Sequence, residues 1–180
     1  MSSIVNLGLR GLQVLFAIII IGLTANLING QVFSGTLPAI IAFTMFTGAF
    51  GMLGAILGIA SNWVEVLQSI LMAGIDALTA FFYLAGGVVL AYKLRGLNCG
   101  NTDTVSRAKM TSNELLNGGC AKFKQGGDKG SLCGYAWYND ADKLNSRCKM
   151  NEADAAFMFL SVIVLCASVV MMFLHIKRNK

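Results

Sequence analysis

Few of these 180 residues could do covalent chemistry: the chain has five cysteines and one histidine. Cys166 lies in an apolar run and reads as a small core residue. The other four, Cys99, Cys120, Cys133 and Cys148, share one polar stretch. That stretch has no histidine and no C-x-x-C pair, which argues against a zinc site. Four thiols in one loop point instead to two disulfides in an oxidising compartment. Three connectivities are open. Cys99–Cys148 with Cys120–Cys133 is favoured, because Cys99 soon follows one apolar run and Cys148 just precedes the next. There is no phosphate-binding glycine loop, no H-E-x-x-H and no nucleophile beside a plausible base. No enzyme, metal or cofactor is expected. Bound membrane lipid, a sterol or sphingolipid, is the remaining ligand class.

The second chemical feature is a pair of isolated charges. Residues 1–92 hold only Arg10, Glu65 and Asp76, whereas residues 93–154 hold seventeen charges. The chain is 56% hydrophobic and 13% charged, about half the charge fraction of an ordinary soluble domain. A bilayer is the natural solvent for its first half. Asp76 falls about nine residues into an apolar run, some 14 Å deep. An unpaired carboxylate there costs on the order of 3 kcal/mol or more. Arg10 is the expected partner, with Gln13 three residues along the same helical face joining the network. The net charge of +5 is no nucleic-acid signature, because the bases are interleaved with acids or follow a span.

Four apolar runs must position these groups, near 9–29, 37–60, 67–92 and 154–176. Each is long enough to cross about 30 Å of hydrocarbon as a helix. None shows the short alternating segments of a barrel. The expected fold is an all-α membrane protein, a four-transmembrane-helix bundle forming one domain over 1–180. Residues 93–153 form an extracellular loop between the third and fourth helices. Basic residues alone would put that loop inside, with ten Lys/Arg against four at the termini. The cysteines carry more weight, so both termini are expected in the cytoplasm. Lys177, Arg178 and Lys180 then face the inner leaflet, where each attracts anionic lipid by about 1 kcal/mol.

In the second run Gly48, Gly51, Gly54, Ala55 and Gly58 form a small-residue surface. Such a surface lets membrane helices approach closely, either within one chain or in self-association. In the loop, Tyr135, Trp137 and Tyr138 cluster as a small core or as an extracellular contact.

The chain resembles the fungal MARVEL-domain proteins of the non-classical-export-protein type. The residues carrying the resemblance are Arg10, Phe16, Gly22-Leu23, Phe50-Gly51 and Asp76-Ala77-Leu78. It continues through Phe81-Phe82, Ala85-Gly86-Gly87, Leu94-Arg95, Asn98-Cys99 and Arg147-Cys148 to the Ala- and Phe-rich start of the fourth span. The resemblance implies a tetraspan with cytoplasmic termini, a place in plasma-membrane microdomains including the eisosome, and sphingolipid-responsive membrane organisation. In that family the third loop is shorter and carries the outer cysteine pair. Segment 101–146, with Cys120 and Cys133, is an addition suited to a specialised extracellular contact. The expected function is a non-enzymatic plasma-membrane scaffold that organises lipid microdomains and associates with itself. The alternative is an accessory or cell-surface contact protein that docks to another membrane protein through the loop.

Overall fold

In the computed structural model, residues 3–33, 35–61, 70–101, 103–125, 128–137 and 141–178 are described. Helices α1 (Ser3–Asn29), α2 (Ala39–Ala60) and α3 (Ile70–Leu94) correspond to the first three apolar runs. The loop contributes α4 (Thr104–Ser112), strands β1 (Cys120–Gln125) and β2 (Asp128–Cys133), and the short α5 (Gly134–Trp137). The last helix, α6, runs over Ala141–Arg178.

The four long helices form a ring in which α1 packs on α2 and α6, and α3 packs on α2 and α6. Each is long and apolar enough to cross a membrane. Their inward faces keep alternating three- and four-residue steps, the spacing of helices packed near-parallel. On α1 the buried positions are Arg10, Gln13, Ala17, Ile20, Thr24 and Leu27. On α6 the same rhythm passes through Arg147, Asn151, Asp154, Met158, Ser161, Leu165 and Ser168. The outward faces are apolar: Leu15, Ile18, Leu53, Phe81, Leu160 and Ile163 are all exposed. Polar side chains inside and hydrocarbon outside reverse the pattern of a soluble bundle.

Helix α6 is longer than the apolar run near 154–176 that marks it: it begins at Ala141, and its 38 residues extend about 57 Å, nearly twice the hydrocarbon thickness. The buried rhythm does not stop at the edge of the apolar run: Leu144, Arg147 and Cys148 are buried against the loop. Packing therefore extends the helix where hydropathy alone does not. Cys166 is exposed rather than in the core, because its position falls between the inward-facing Leu165 and Ser168.

The loop folds onto the bundle. Cys99 is bonded to Cys148 and Cys120 to Cys133. The second bond joins residues directly opposed in the antiparallel β1–β2 pair. Met110, Leu115, Leu116 and Leu144 are buried together with Cys148 and Tyr135. Asp103 caps α4 by accepting from the Ser106 backbone N–H at 3.0 Å, and hydrogen bonding to Ser106 holds its carboxyl below the usual carboxylate range.

The glycines of α2 are filled from within the chain. A Cβ on Gly48 would lie 3.0 Å from Ile21 of α1, and one on Gly51 would lie 2.6 Å from the Tyr83 ring of α3. Gly54 faces Ile75 and Thr79, and Gly58 faces Arg10. Of the two uses open to this surface, packing within one chain and self-association, the structure has the first: α1 and α3 cover it. Gly51→Ala should therefore destabilise the protein by about 1–3 kcal/mol through overpacking. Gly22→Ala, whose Cβ meets nothing within 4 Å, should not. Thermal unfolding of both variants in one detergent checks the difference.

Candidate functional site

The charged groups buried inside the bundle lie toward its two ends. At the end away from the loop, Arg10 Nη1 donates to Asp76 Oδ1 at 2.6 Å and Nη2 donates to Asp76 Oδ2 at 2.7 Å. Arg10 is 2% exposed and Asp76 1%. This parallel fork suits a guanidinium and a carboxylate, and is the strongest form of such a pair. It spans the diagonal of the ring, from α1 to α3. Arg10 Nη1 also donates to Gln13 Oε1 at 2.9 Å. Gln13 Nε2 donates to Ser168 Oγ of α6 at 3.0 Å. Helix α2 contributes Gly58, where a Cβ would fall 2.5 Å from Arg10 Cζ. All four long helices thus meet at one charged group.

The end under the loop contains Asp154, not singled out from the sequence, and Arg147, named there only as part of the family resemblance. Asp154 is fully buried and accepts from Thr24 Oγ1 at 3.0 Å. Among the described residues it has no cationic partner. Two turns away, Arg147 Nη1 donates to Leu27 O of α1 at 2.9 Å, and Nη2 donates to Leu115 O at 3.2 Å. The last carbonyls of a helix lack intrahelical donors and carry partial negative charge. Arg147 therefore caps α1 from outside the helix. The Tyr135 hydroxyl donates to Gly30 O, and the Arg147 guanidinium lies 5.6 Å from the Tyr135 ring centroid. Gly118 adopts φ +74°, and a Cβ there would lie 2.6 Å from the Tyr135 ring. Glycine meets both demands.

Tyr135 is accordingly buried, at 6% exposure, and not an outward contact. Trp137 ends α5, with its side chain outside the described set, and Tyr138 lies outside the described residues. Lys177 is exposed near the end of α6 and Arg178 is its last residue, while Lys180 lies outside the described residues. The signal for Asp154 and Arg147 was a seven-residue recurrence of polar residues, Arg147, Asp154, Ser161 and Ser168. It crosses the boundary between charged loop and apolar run, so counting charges by segment hides it. Among the described residues, no cluster of three potential metal ligands occurs.

A family model described as MARVEL, membrane-associating domain, matches residues 3–171. The chain is similar to Non-classical export protein 2 of Saccharomyces cerevisiae, with 25% identity over 173 residues. That match covers 95% of this chain and 81% of the yeast protein. No solved structure matches.

The two buried acids should respond differently to neutralisation. Asp76→Asn leaves the Arg10 charge unpaired and should cost about 3–5 kcal/mol. Adding Arg10→Gln should restore much of that loss. Asp154→Asn keeps an acceptor for Thr24 and removes a charge that has no cationic partner, so its effect should be under about 1 kcal/mol. Unfolding in a graded denaturing detergent, with the double variant completing the cycle, measures these terms.

Proposed function

The chain belongs to a fungal MARVEL family, and from that premise we propose that it is a non-enzymatic organiser of lipid microdomains in the plasma membrane, of the eisosome kind. The observation supporting this reading is the inverted polarity of the bundle. Charged and hydrogen-bonding groups are spent on internal packing, and the outward faces of the described helices are predominantly apolar. A protein so built acts through the lipid and protein neighbours its outer surface prefers. The aromatic cluster of Phe46, Phe50 and Phe82 supplies a rigid part of that belt, with Phe46 and Phe82 ring centroids 5.8 Å apart and Phe50 and Phe82 5.5 Å apart. Phe46 and the neighbouring Phe81 are exposed. Self-association, or contact with another membrane protein, uses this outer face and not the α2 glycines.

The orientation has both termini in the cytoplasm and the loop outside. The two loop disulfides favour the oxidising side. The basic end of α6 suits the anionic inner leaflet.

In giant vesicles with coexisting sterol-rich ordered and disordered phases, the purified protein should concentrate several-fold in one phase and slow the merging of domains. An even distribution with unchanged domain growth would count against the microdomain reading. On intact cells, an impermeant maleimide should label the loop thiols only after an impermeant reductant is added. Labelling that requires permeabilised cells would reverse the orientation.

A further inference from the structure

Where α3 leaves the bundle, beside the Cys99–Cys148 bond, lies an open cavity of about 470 Å³. Ala91, Leu94 and Leu97 form its apolar side, and Asn98, Lys149 and Glu152 form its polar side. This volume lies within the range of small-ligand sites. Lys149 and Glu152 are three residues apart on α6 and so share a face. Both are exposed, and neither forms an ion pair with the other or with any described residue. Two opposite charges, about 4.5 Å apart along the helix, are therefore free at the mouth of one cavity.

Beyond the cavity, toward the bilayer centre, both helices present exposed apolar residues. From Ala91, one and two turns toward the bilayer centre, come Val88 and Leu84, both exposed. From Glu152, the same direction along α6 leads to Ala156, Leu160 and Ile163, also exposed. These five exposed apolar residues lie on two helices that pack together and offer an apolar track toward the bilayer centre. Tyr92 and Lys93 at the same level mark the bilayer boundary, where an aromatic ring and a cation are favoured.

We propose that this cavity binds the headgroup of a zwitterionic phospholipid, with phosphate at Lys149, the lipid amine at Glu152 and an acyl chain along the Val88–Ile163 track. An anionic lipid would meet repulsion from Glu152. An uncharged sterol hydroxyl would leave Lys149 unused. The flexible Lys149 stem lets its ammonium follow the phosphate across the mouth. The site deepens the microdomain reading, and rests on it, by naming the lipid class held at the loop-side surface.

The test places the full chain in nanodiscs of equimolar phosphatidylcholine and phosphatidylglycerol, extracts it gently, and counts retained lipids by native mass spectrometry. Wild-type protein should retain phosphatidylcholine preferentially. Glu152→Lys should lower that retention about five- to tenfold and take phosphatidylglycerol instead. Lys149→Glu should lower retention of both. Glu152→Gln, a milder change at an exposed position, should lower phosphatidylcholine retention without the switch. Wild-type retention in the proportions of the bilayer, or variants indistinguishable from wild type, would overturn the site. Phase partition of the same proteins is read separately. A wild type that partitions between phases yet holds both lipids equally would lose this site and keep the microdomain role.

Discussion

Arg10 and Asp76 cannot be separated inside a bilayer without leaving two charges in hydrocarbon, a state far costlier than the pair itself. Because the pair crosses the diagonal of the helix ring, it sets the height of α1 against α3. It also requires Gly58 on α2, since any larger residue would occupy the guanidinium's place. Through Gln13 it reaches Ser168 on α6. Without a hydrophobic drive between helices in lipid, such polar links and close packing determine which arrangement wins. Thr44, Thr79 and Ser161 add no new demand, because their hydroxyls bond back to carbonyls of their own helices.

The other end of the bundle obeys the same constraint with different groups. Arg147 and Tyr135 satisfy carbonyls at the end of α1, and the Cys99–Cys148 bond ties the ends of α3 and α6. The loop is thereby joined to the helices it follows. Val32 N–H donates to Gly118 O at 2.8 Å, so the α1–α2 connection is included as well. Between these two ends the described helices present exposed apolar side chains, among them Leu15, Leu53, Phe81 and Leu160.

Much of this was legible in the residues. Arg10 and Asp76 stood out because the first half of the chain holds almost no other charge. Among three open connectivities, the order of spans and thiols favoured the cysteine pairing that the structure has. Asp154 was hidden, and Arg147 was named without its role at the end of α1, because a charge count assigned both to the loop although their spacing belongs to the helix. Tyr135 was left open between a small loop core and an extracellular contact, since nothing local indicates that its hydroxyl meets Gly30, more than a hundred residues away.

The sequence by itself determined the four helices, their solvent and the chemistry of the loop. Those depend on length, hydropathy and redox chemistry, which are properties of segments. Only the tertiary structure decided which faces turn inward, what fills the α2 glycines and how far α6 extends beyond the membrane. Those outcomes depend on contacts between distant residues. In lipid, where hydrocarbon surrounds every helix face alike, hydrophobicity cannot choose among arrangements, and polar pairing and steric fit decide.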